Sequence, residues 1–284
     1  MKARLFIVTV AIHLLVLGAV GNVRSFEFIR SEGNGMGQTV LISHTLPSTL
    51  VSVPTGGLMS KEWRFETGFD RQYDMSELDQ FYAAGAYRYK RLTFAGGLSK
   101  FGRSDLYSEL TGKANIAYHY DSLTIGVSMS GLLLQFGGNY GNLSGTTIGA
   151  GVSYRMNRLY TAIVADNLTS PRLADDGPKV NPQYSVYAEF AGKQSFVVTG
   201  RATLESGEDT QFGFGQKIFI SDNSAVFWGI STSPLEYGSG LELGIRGTTI
   251  SYAFSNHPVL GFSHTIAVSV GGGFKHRGSD REFK

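Results

Sequence analysis

The feature that most constrains this chain is an alternation of residue types, clearest in residues 248–274, TTISYAFSNHPVLGFSHTIAVSVGGGF. Side chains of a β-strand point to opposite faces with a period of two, so Ile250, Tyr252 and Phe254 share one face. The other face carries mostly Ser, Thr, Ala and Gly, whereas the water-facing side of a soluble sheet usually carries Lys and Glu. The pattern therefore favours a wall whose apolar face meets lipid and whose small polar face lines a narrow interior.

Period-two segments continue from Trp63 to Phe274, and about fourteen of them can be delimited. Most are close to the about 9–11 residues that a tilted transmembrane strand requires. Tight connections such as Lys90-Arg91 alternate with mostly longer ones such as Asn167–Pro182, which is typical of barrels with short periplasmic turns and long external loops. The predicted fold is all-β, a transmembrane antiparallel β-barrel of about fourteen strands. A soluble secreted β-sandwich is the alternative.

Charged side chains in these segments fall almost entirely opposite the apolar rows. A charge in hydrocarbon costs about 2–4 kcal/mol at the bilayer midplane, so a lipid-facing wall requires this segregation. Gln216 is an exception, because it shares a row with Phe214 and Ile218. Acid–base pairs on the inner face fit either salt bridges that fill a narrow lumen or a constriction that selects solutes. The lumen-facing candidates are Arg64, Glu66, Arg88, Lys113, Glu189, Arg201, Lys217, Glu242 and Arg246.

Composition excludes several classes of function. Charged residues are 17% of the chain and the formal net charge is +2, so no strongly basic surface for nucleic acid is indicated. The absence of cysteine excludes disulfides, a thiolate nucleophile, Cys-ligated metals and a lipoprotein anchor. No cofactor is expected.

The N-terminal residues 1–21, MKARLFIVTVAIHLLVLGAVG, are typical of a cleaved signal peptide, with a cationic start, an apolar run and small residues before the cleavage site. A retained anchor helix is the alternative. Residues 22–61 are glycine-rich, and we expect them to form a plug inside the barrel or else a periplasmic tail. We expect residues 62–274 to form the barrel, residues 275–284 to form a charged tail, and the protein to be located in the bacterial outer membrane.

Enzymatic chemistry is not indicated, and no catalytic or metal-binding residue is predicted. No histidine after residue 21 stands in a recognisable nucleophile motif or metal-ligand spacing. His264 follows Ser263, but adjacent strand residues point to opposite faces. Gly213 and Gly215 lack the following helix of a phosphate-binding loop, so they predict a smooth barrel wall. The histidines considered are His44, His119, His257, His264 and His276.

The long connection Asn167–Pro182, NLTSPRLADDGPKVNP, is a candidate for recognition of a protein partner. Its prolines and its Asp-Asp-Gly sequence give it defined turns, and recognition often lies on loops that a rigid scaffold supports. A merely solvated external loop is the alternative. The partner-loop candidates are Arg172, Asp175, Asp176 and Lys179.

Short motifs near both ends of the mature chain carry a family resemblance. They are Gly35-Met36-Gly37 and Gly57-Leu58 near the N terminus, and Tyr252-Ala253-Phe254, Leu260-Gly261, His264 and Ser269-Val270 near the C terminus. In these residues the chain resembles the PorV/PorQ family, part of the wider group of FadL-like barrels. Where that family usually has Asn-Pro-Ala-Gly-Leu, this chain departs with residues 53–58, VPTGGL.

The resemblance implies a fourteen-stranded outer-membrane barrel with an N-terminal plug. PorV-like members act in type IX secretion as shuttle or docking partners, so the expected partners beside outer-membrane lipid are envelope or secretion-system proteins or secreted cargo. FadL-like members take up hydrophobic molecules such as fatty acids, which is the alternative function. The polar inner rows favour the docking function over a tunnel for hydrophobic molecules.

Overall fold

The structure, a computed structural model, describes residues 31–43, 46–56, 63–103, 105–137, 141–173, 179–192 and 196–272. The strands in these residues form a closed antiparallel barrel in which sequence neighbours pair and the last strand closes on the first. The strands are β1 Trp63–Arg71, β2 Asp79–Tyr89, β3 Leu92–Arg103, β4 Tyr107–Tyr120, β5 Leu123–Phe136, β6 Asn142–Met156, β7 Leu159–Asp166, β8 Gln183–Ala191, β9 Phe196–Glu205, β10 Gln211–Ser221, β11 Ser224–Ser231, β12 Glu236–Ile245, β13 Thr248–His257 and β14 Gly261–Gly271. The predicted fourteen-stranded barrel is confirmed.

Two short helices precede the barrel, α1 Ser31–Gly35 and α2 Pro47–Ser52. No helix within the described residues has the length and apolar character needed to cross a membrane. Several predictions concern residues outside the described ranges and stay predictions: the signal peptide at 1–21, the charged tail at 275–284, and the positions Gly57, Leu58, Asp175 and Asp176.

The alternation in residues 248–274 has the predicted consequence for the two faces of the wall. Thr249 and Ser251 are buried inside, whereas Ile250 and Tyr252 are exposed on the outside. Strand β14 continues the pattern and pairs with β1, so that Val270 lies opposite Phe65. Because the apolar row is continuous around the outside, the wall presents an apolar surface to lipid.

The tight turns at one end of the barrel fix the register of the hairpins. Lys90, Asp121, Asn157 and Arg246 each begin such a turn with a positive φ, between 47° and 55°. Two-residue hairpin turns require this backbone conformation because its twist matches that of the strands. We call this the short-turn end, and the opposite end, which carries the 167–182 connection, the long-loop end.

Gln216, the exception in the outer apolar row, accepts a hydrogen bond from a neighbouring side chain. The Nε1–H group of Trp228 on β11 donates a hydrogen bond of 3.0 Å to the Gln216 side-chain oxygen. Gln216 and Trp228 lie directly opposite each other in the β10–β11 register. The pair satisfies a polar group that would otherwise face lipid unpaired.

Residues 31–43 and 46–56, here called the inner segment, lie within the barrel. Met36 and Leu41 pack against inward-facing Phe227 and Ala253 on one side. On the other side, helix α2 contributes apolar side chains to a cluster with small residues of β2, β3 and β14. The many alanines on the inner face leave room for this chain, and the interior is therefore filled by packed protein.

Candidate functional site

The inner segment and the wall around it form the candidate functional site, and helix α2 shows how they are joined. Glu66 on β1 is 1% exposed. Its carboxylate accepts hydrogen bonds from the Ser48 backbone N–H at 3.0 Å and from the Ser48 hydroxyl at 2.9 Å. The Tyr82 hydroxyl donates a third at 2.6 Å. Because the first N–H groups of a helix have no intrahelical partner, a wall carboxylate here completes the helix N-terminus.

The opposite end of α2 is completed by an amide from the wall. The Nδ2 group of Asn115 on β4 donates to the carbonyl oxygens of Leu50, at 2.5 Å, and Val51, at 2.8 Å. The hydroxyl of Ser153 on β6 donates to the Thr55 carbonyl at 2.8 Å. The last carbonyl groups of a helix lack partners within it, so the barrel supplies what this short helix cannot.

A buried ion cluster joins helix α1 to the wall between β10 and β12. The Lys217 ammonium lies 2.5 Å from Glu32 and 2.9 Å from Glu242, and all three side chains are at most 2% exposed. Arg64 lies close enough to both glutamates for electrostatic attraction. Buried charges persist only when they are paired and hydrogen-bonded, so each member of this cluster depends on the others.

Further hydrogen bonds fix helix α1 and the chain that follows it. Asn34 donates to Asp70 at 3.0 Å and to Thr265 at 2.8 Å. The Thr199 hydroxyl donates to the Val40 carbonyl at 2.9 Å. Ser43 donates to Glu189 through both its backbone N–H and its hydroxyl. The inner segment is thus bonded to strands on several sides of the lumen and follows a single path through it.

Glycines of the inner wall admit the backbone of the inner segment. A Cβ atom at Gly229 would lie 2.2 Å from the Met36 carbonyl carbon, and one at Gly213 would lie 2.3 Å from the Gly37 oxygen. Gly37 itself has φ +63°. The smooth wall predicted from Gly213 and Gly215 is therefore a contact surface for the Gly35-Met36-Gly37 motif.

The long-loop end of the lumen carries an apolar lining. Leu132 and Leu134 of β5 point inward and pack with Leu173 and Val180 of the 167–182 connection, and Tyr107 and Leu143 border this cluster. Gly145 on β6 makes room, because a Cβ atom there would lie 2.9 Å from Leu173. We call the six side chains Tyr107, Leu132, Leu134, Leu143, Leu173 and Val180 the mouth cluster.

A polar layer separates the mouth cluster from the inner segment. Lys113 on β4 and Asp166 at the end of β7 form an ion pair at 2.6 Å, with side chains 10% and 20% exposed. Ser130 and Thr147 continue the layer, since they follow Lys113 across the register of β4, β5 and β6. The pair is neutral as a whole, so the layer offers hydrogen bonds without a net charge.

The structure brings together most of the predicted lumen-facing residues. Glu66, Glu189, Arg201, Lys217 and Glu242 are buried, and Arg201 donates to Gln211 at 3.3 Å. Arg64 and Lys113 also point inward, as described above. Arg246, although predicted to face the lumen, lies exposed in the turn after β12, and Glu242 pairs with Lys217. Arg88 lies near the short-turn end, where it donates to the Lys90 carbonyl at 3.1 Å.

The remaining predicted positions lie elsewhere. Arg172 and Lys179 face each other in an isolated β-bridge at the base of the 167–182 connection. Tyr252 and His264 meet on the outer face, with the Tyr252 hydroxyl 2.8 Å from His264 Nδ1. Gly261 begins β14 with φ +96°.

No arrangement for catalysis or metal binding is apparent in the described residues. Both ring nitrogens of buried His119 contact threonine hydroxyls, Thr93 at 2.9 Å and Thr124 at 3.0 Å. No group of His, Asp and Glu residues within the described ranges has the geometry of a metal site. These contacts make His119 a packing residue of the inner wall.

Sequence reasoning missed Asn115, Ser48 and the mouth cluster. The run Leu132-Leu133-Leu134 could have indicated an apolar inner face. Alternate residues of a strand share a face, so at least one of three consecutive leucines must point inward. The contacts of Asn115 and Ser48 had no such signal, because both join parts of the chain that are distant in sequence.

Comparisons with known proteins identify the fold. No protein-family model and no curated protein sequence matches the chain. The Pseudomonas putida toluene transporter TodX matches with a TM-score of 0.63 at 11% identity, covering 89% of this chain and 99% of that one. A deltaS2S3 mutant of TodX, described as a monoaromatic hydrocarbon channel, gives 0.67 at 12% identity, covering 86% and 98%.

A Pseudomonas aeruginosa FadL homologue gives a TM-score of 0.55 at 10% identity, covering 89% of this chain and 98% of that one. At these identities the similarity shows the fold, which is that of a bacterial outer-membrane barrel. The barrel fold expected from the resemblance is thus confirmed, whereas membership of the PorV/PorQ family is not shown.

Proposed function

We propose that this protein is a channel in the bacterial outer membrane that admits hydrophobic small molecules and is closed by its inner segment. The observation that carries the proposal is the mouth cluster. Apolar side chains pack together at the long-loop end of the lumen, although the rest of the inner wall is mostly polar. A pore for hydrophilic solutes gains nothing from such a lining, whereas a hydrophobic molecule is stabilised by the apolar surface that it covers.

The similar solved structures support this choice between the two functions expected from sequence. Those with the same fold include a toluene transporter and a hydrocarbon channel, so the uptake of hydrophobic molecules is favoured over docking in type IX secretion. The inner segment fits a closed state, because its helix α2 is bonded to the wall at both ends below the mouth cluster.

Uptake by cells that express the protein tests the proposal. We expect radiolabelled toluene to accumulate several-fold faster than in cells without the protein, and the variant Leu132→Asn/Leu134→Asn to lose most of that gain. Val259→Asn is the matched control, because Val259 is 85% exposed at the same end but outside the mouth cluster. Heat-modifiable gel mobility checks that each variant folds. Toluene uptake equal to that of cells without the protein, or a similar gain for glucose, would contradict the proposal.

The partner-docking function of the 167–182 connection stays a separate prediction. Leu173 and Val180 of this connection belong to the mouth cluster, so deleting the whole loop would disturb the channel as well. Replacing only residues 174–178 by a Gly-Ser sequence keeps both anchors. Loss of a co-purifying envelope protein in this variant would support docking, and an unchanged set of partners would contradict it.

A further inference from the structure

At the short-turn end, the types of outward-facing side chains differ between two parts of the barrel circumference. Its outward-facing tryptophan and tyrosines lie on strands β1 to β6, and each is between 46% and 54% exposed. The corresponding outward positions on β10 to β13 are aliphatic, for example Ile220, Leu243 and Ile245. We call the following six residues the tyrosine arc: Trp63, Tyr87, Tyr89, Tyr118, Tyr120 and Tyr154.

Positive charge accompanies the arc. Lys90 and Arg91 form the turn between β2 and β3, and Arg158 lies in the turn between β6 and β7, whereas Asp121 is the acidic residue of the turn between them. The long-loop end has the opposite character, since acidic residues outnumber basic ones in the described part of its connections. Those acidic residues include Asp74, Glu77, Asp105, Glu208 and Asp209.

Two of these cations are held on the lipid side of the wall. The Lys90 ammonium lies 5.2 Å from the centre of the Tyr89 ring, and the Arg91 guanidinium lies 5.5 Å from the centre of the Tyr120 ring. Both rings face outward, so the attraction between cation and ring keeps the charges at the edge of the apolar surface. A ligand that meets them there approaches from the bilayer and not through the lumen.

The tyrosine hydroxyls of the arc are available to the same ligand. None of the hydroxyls of Tyr87, Tyr89, Tyr118, Tyr120 and Tyr154 makes a hydrogen bond to another residue that the structure describes. Tyr89 and Tyr118 both pair with Leu92, so they stand at the same level on β2 and β4, the two strands that flank β3. Aromatic side chains of membrane proteins mark the level of the lipid headgroups.

We propose that the tyrosine arc, with Lys90, Arg91 and Arg158, binds the phosphate groups of anionic phospholipids in the inner leaflet of the outer membrane. The cations supply attraction to the phosphate and the hydroxyls supply hydrogen bonds, while the rings contact the glycerol and upper acyl region. The site lies outside the lumen, so it does not depend on the proposed channel function.

Native mass spectrometry of the intact protein tests the proposal. The detergent-purified protein is titrated with phosphatidylglycerol and, separately, with phosphatidylethanolamine. We expect preferential adducts with phosphatidylglycerol and a drop of about 25-fold in its affinity for Lys90→Asn/Arg91→Gln, since each cation near an anionic surface contributes about fivefold. A second variant, Arg158→Gln, should show a drop of about fivefold.

Arg246→Asn is the matched control, because Arg246 begins a tight turn at the same end but on the aliphatic side. Asn replaces Lys90 and Arg246 because it accepts their positive φ. Heat-modifiable mobility confirms folding of every variant. Equal affinity for the two lipids, or an equal loss in Arg246→Asn, would overturn the proposal. So would binding of a soluble polyglutamate peptide without preference for phosphatidylglycerol, which would instead identify a surface for an acidic periplasmic partner.

Discussion

Lys217 shows, at the scale of a single residue, how the inner segment is held to the barrel wall. Its ammonium is fully buried between Glu32 of the inner segment and Glu242 of the wall. Alternation placed Lys217 and Glu242 on the inner face correctly. The third partner could not be predicted, because Glu32 is 185 residues away and reaches Lys217 only once the chain has entered the barrel.

Removal of the Lys217 charge should destabilise the folded barrel. Lys217→Met leaves two buried carboxylates without their hydrogen-bonded cation, with only the attraction of Arg64 remaining, and breaking a buried ion pair in this way costs about 3–5 kcal/mol. We expect a lower midpoint in urea unfolding measured in detergent micelles. The triple variant Glu32→Gln/Lys217→Met/Glu242→Gln should recover most of the loss, because no uncompensated charge remains. Equal midpoints for wild type and Lys217→Met would show that the cluster contributes nothing to stability.

Helix α2 is an element that the barrel makes possible. A helix of six residues is too short to be stable alone, since the first turn costs more free energy than so few hydrogen bonds return. Glu66 completes its N-terminus and Asn115 its C-terminus, and both belong to strands. Sequence periodicity predicts the strands well but gives no signal for a helix whose stability comes from a wall folded around it.

A side chain added to the inner wall should displace the inner segment. Gly229→Ala would place a Cβ atom 2.2 Å from the Met36 carbonyl carbon, where the neighbour is backbone and cannot turn aside. The chain has no cysteine, so Leu50→Cys, at a position 2% exposed, provides a single reporter. We expect maleimide to label this cysteine several-fold faster when Gly229→Ala is also present.

Gly131→Ala is the control for this experiment, because a Cβ atom there meets nothing within 4 Å. It should leave the labelling rate unchanged. If Gly229→Ala labels no faster than the control, the inner segment tolerates the contact and its path against β11 is not the constraint that the geometry indicates.

At the scale of the whole molecule, the proposed closed state rests on the inner segment. Helix α2 contacts β1 to β4 and helix α1 contacts β11 to β14, which together form one continuous arc of the wall, while Ser43 and Val40 are bonded to β8 and β9. Without this segment, the wall would enclose an unfilled polar interior. The inward-facing charged residues of the wall would lose their partners in the inner segment and contact water instead.

Deletion of residues 31–56 should therefore produce a conducting pore. In planar lipid bilayers we expect small or no current steps for the refolded wild-type barrel and large, stable steps for the deletion variant. Removal of residues 275–284 serves as the control and should leave the current as in the wild type. Large steps from the wild type would mean that ions pass the inner segment, and the closed state proposed above would be wrong.

The sequence by itself determined the wall of this protein: the strands, their number, the lipid-facing row and most of the inward charges. Each of these follows from a period of two, a local property that survives wherever the strand is placed. Only the tertiary structure decided what fills the lumen that this wall encloses. Ser48 meets Glu66, Glu32 meets Lys217, and Leu173 meets Leu134 because closure of the barrel brings distant residues together, and no local pattern records which inward side chain faces which part of the enclosed chain.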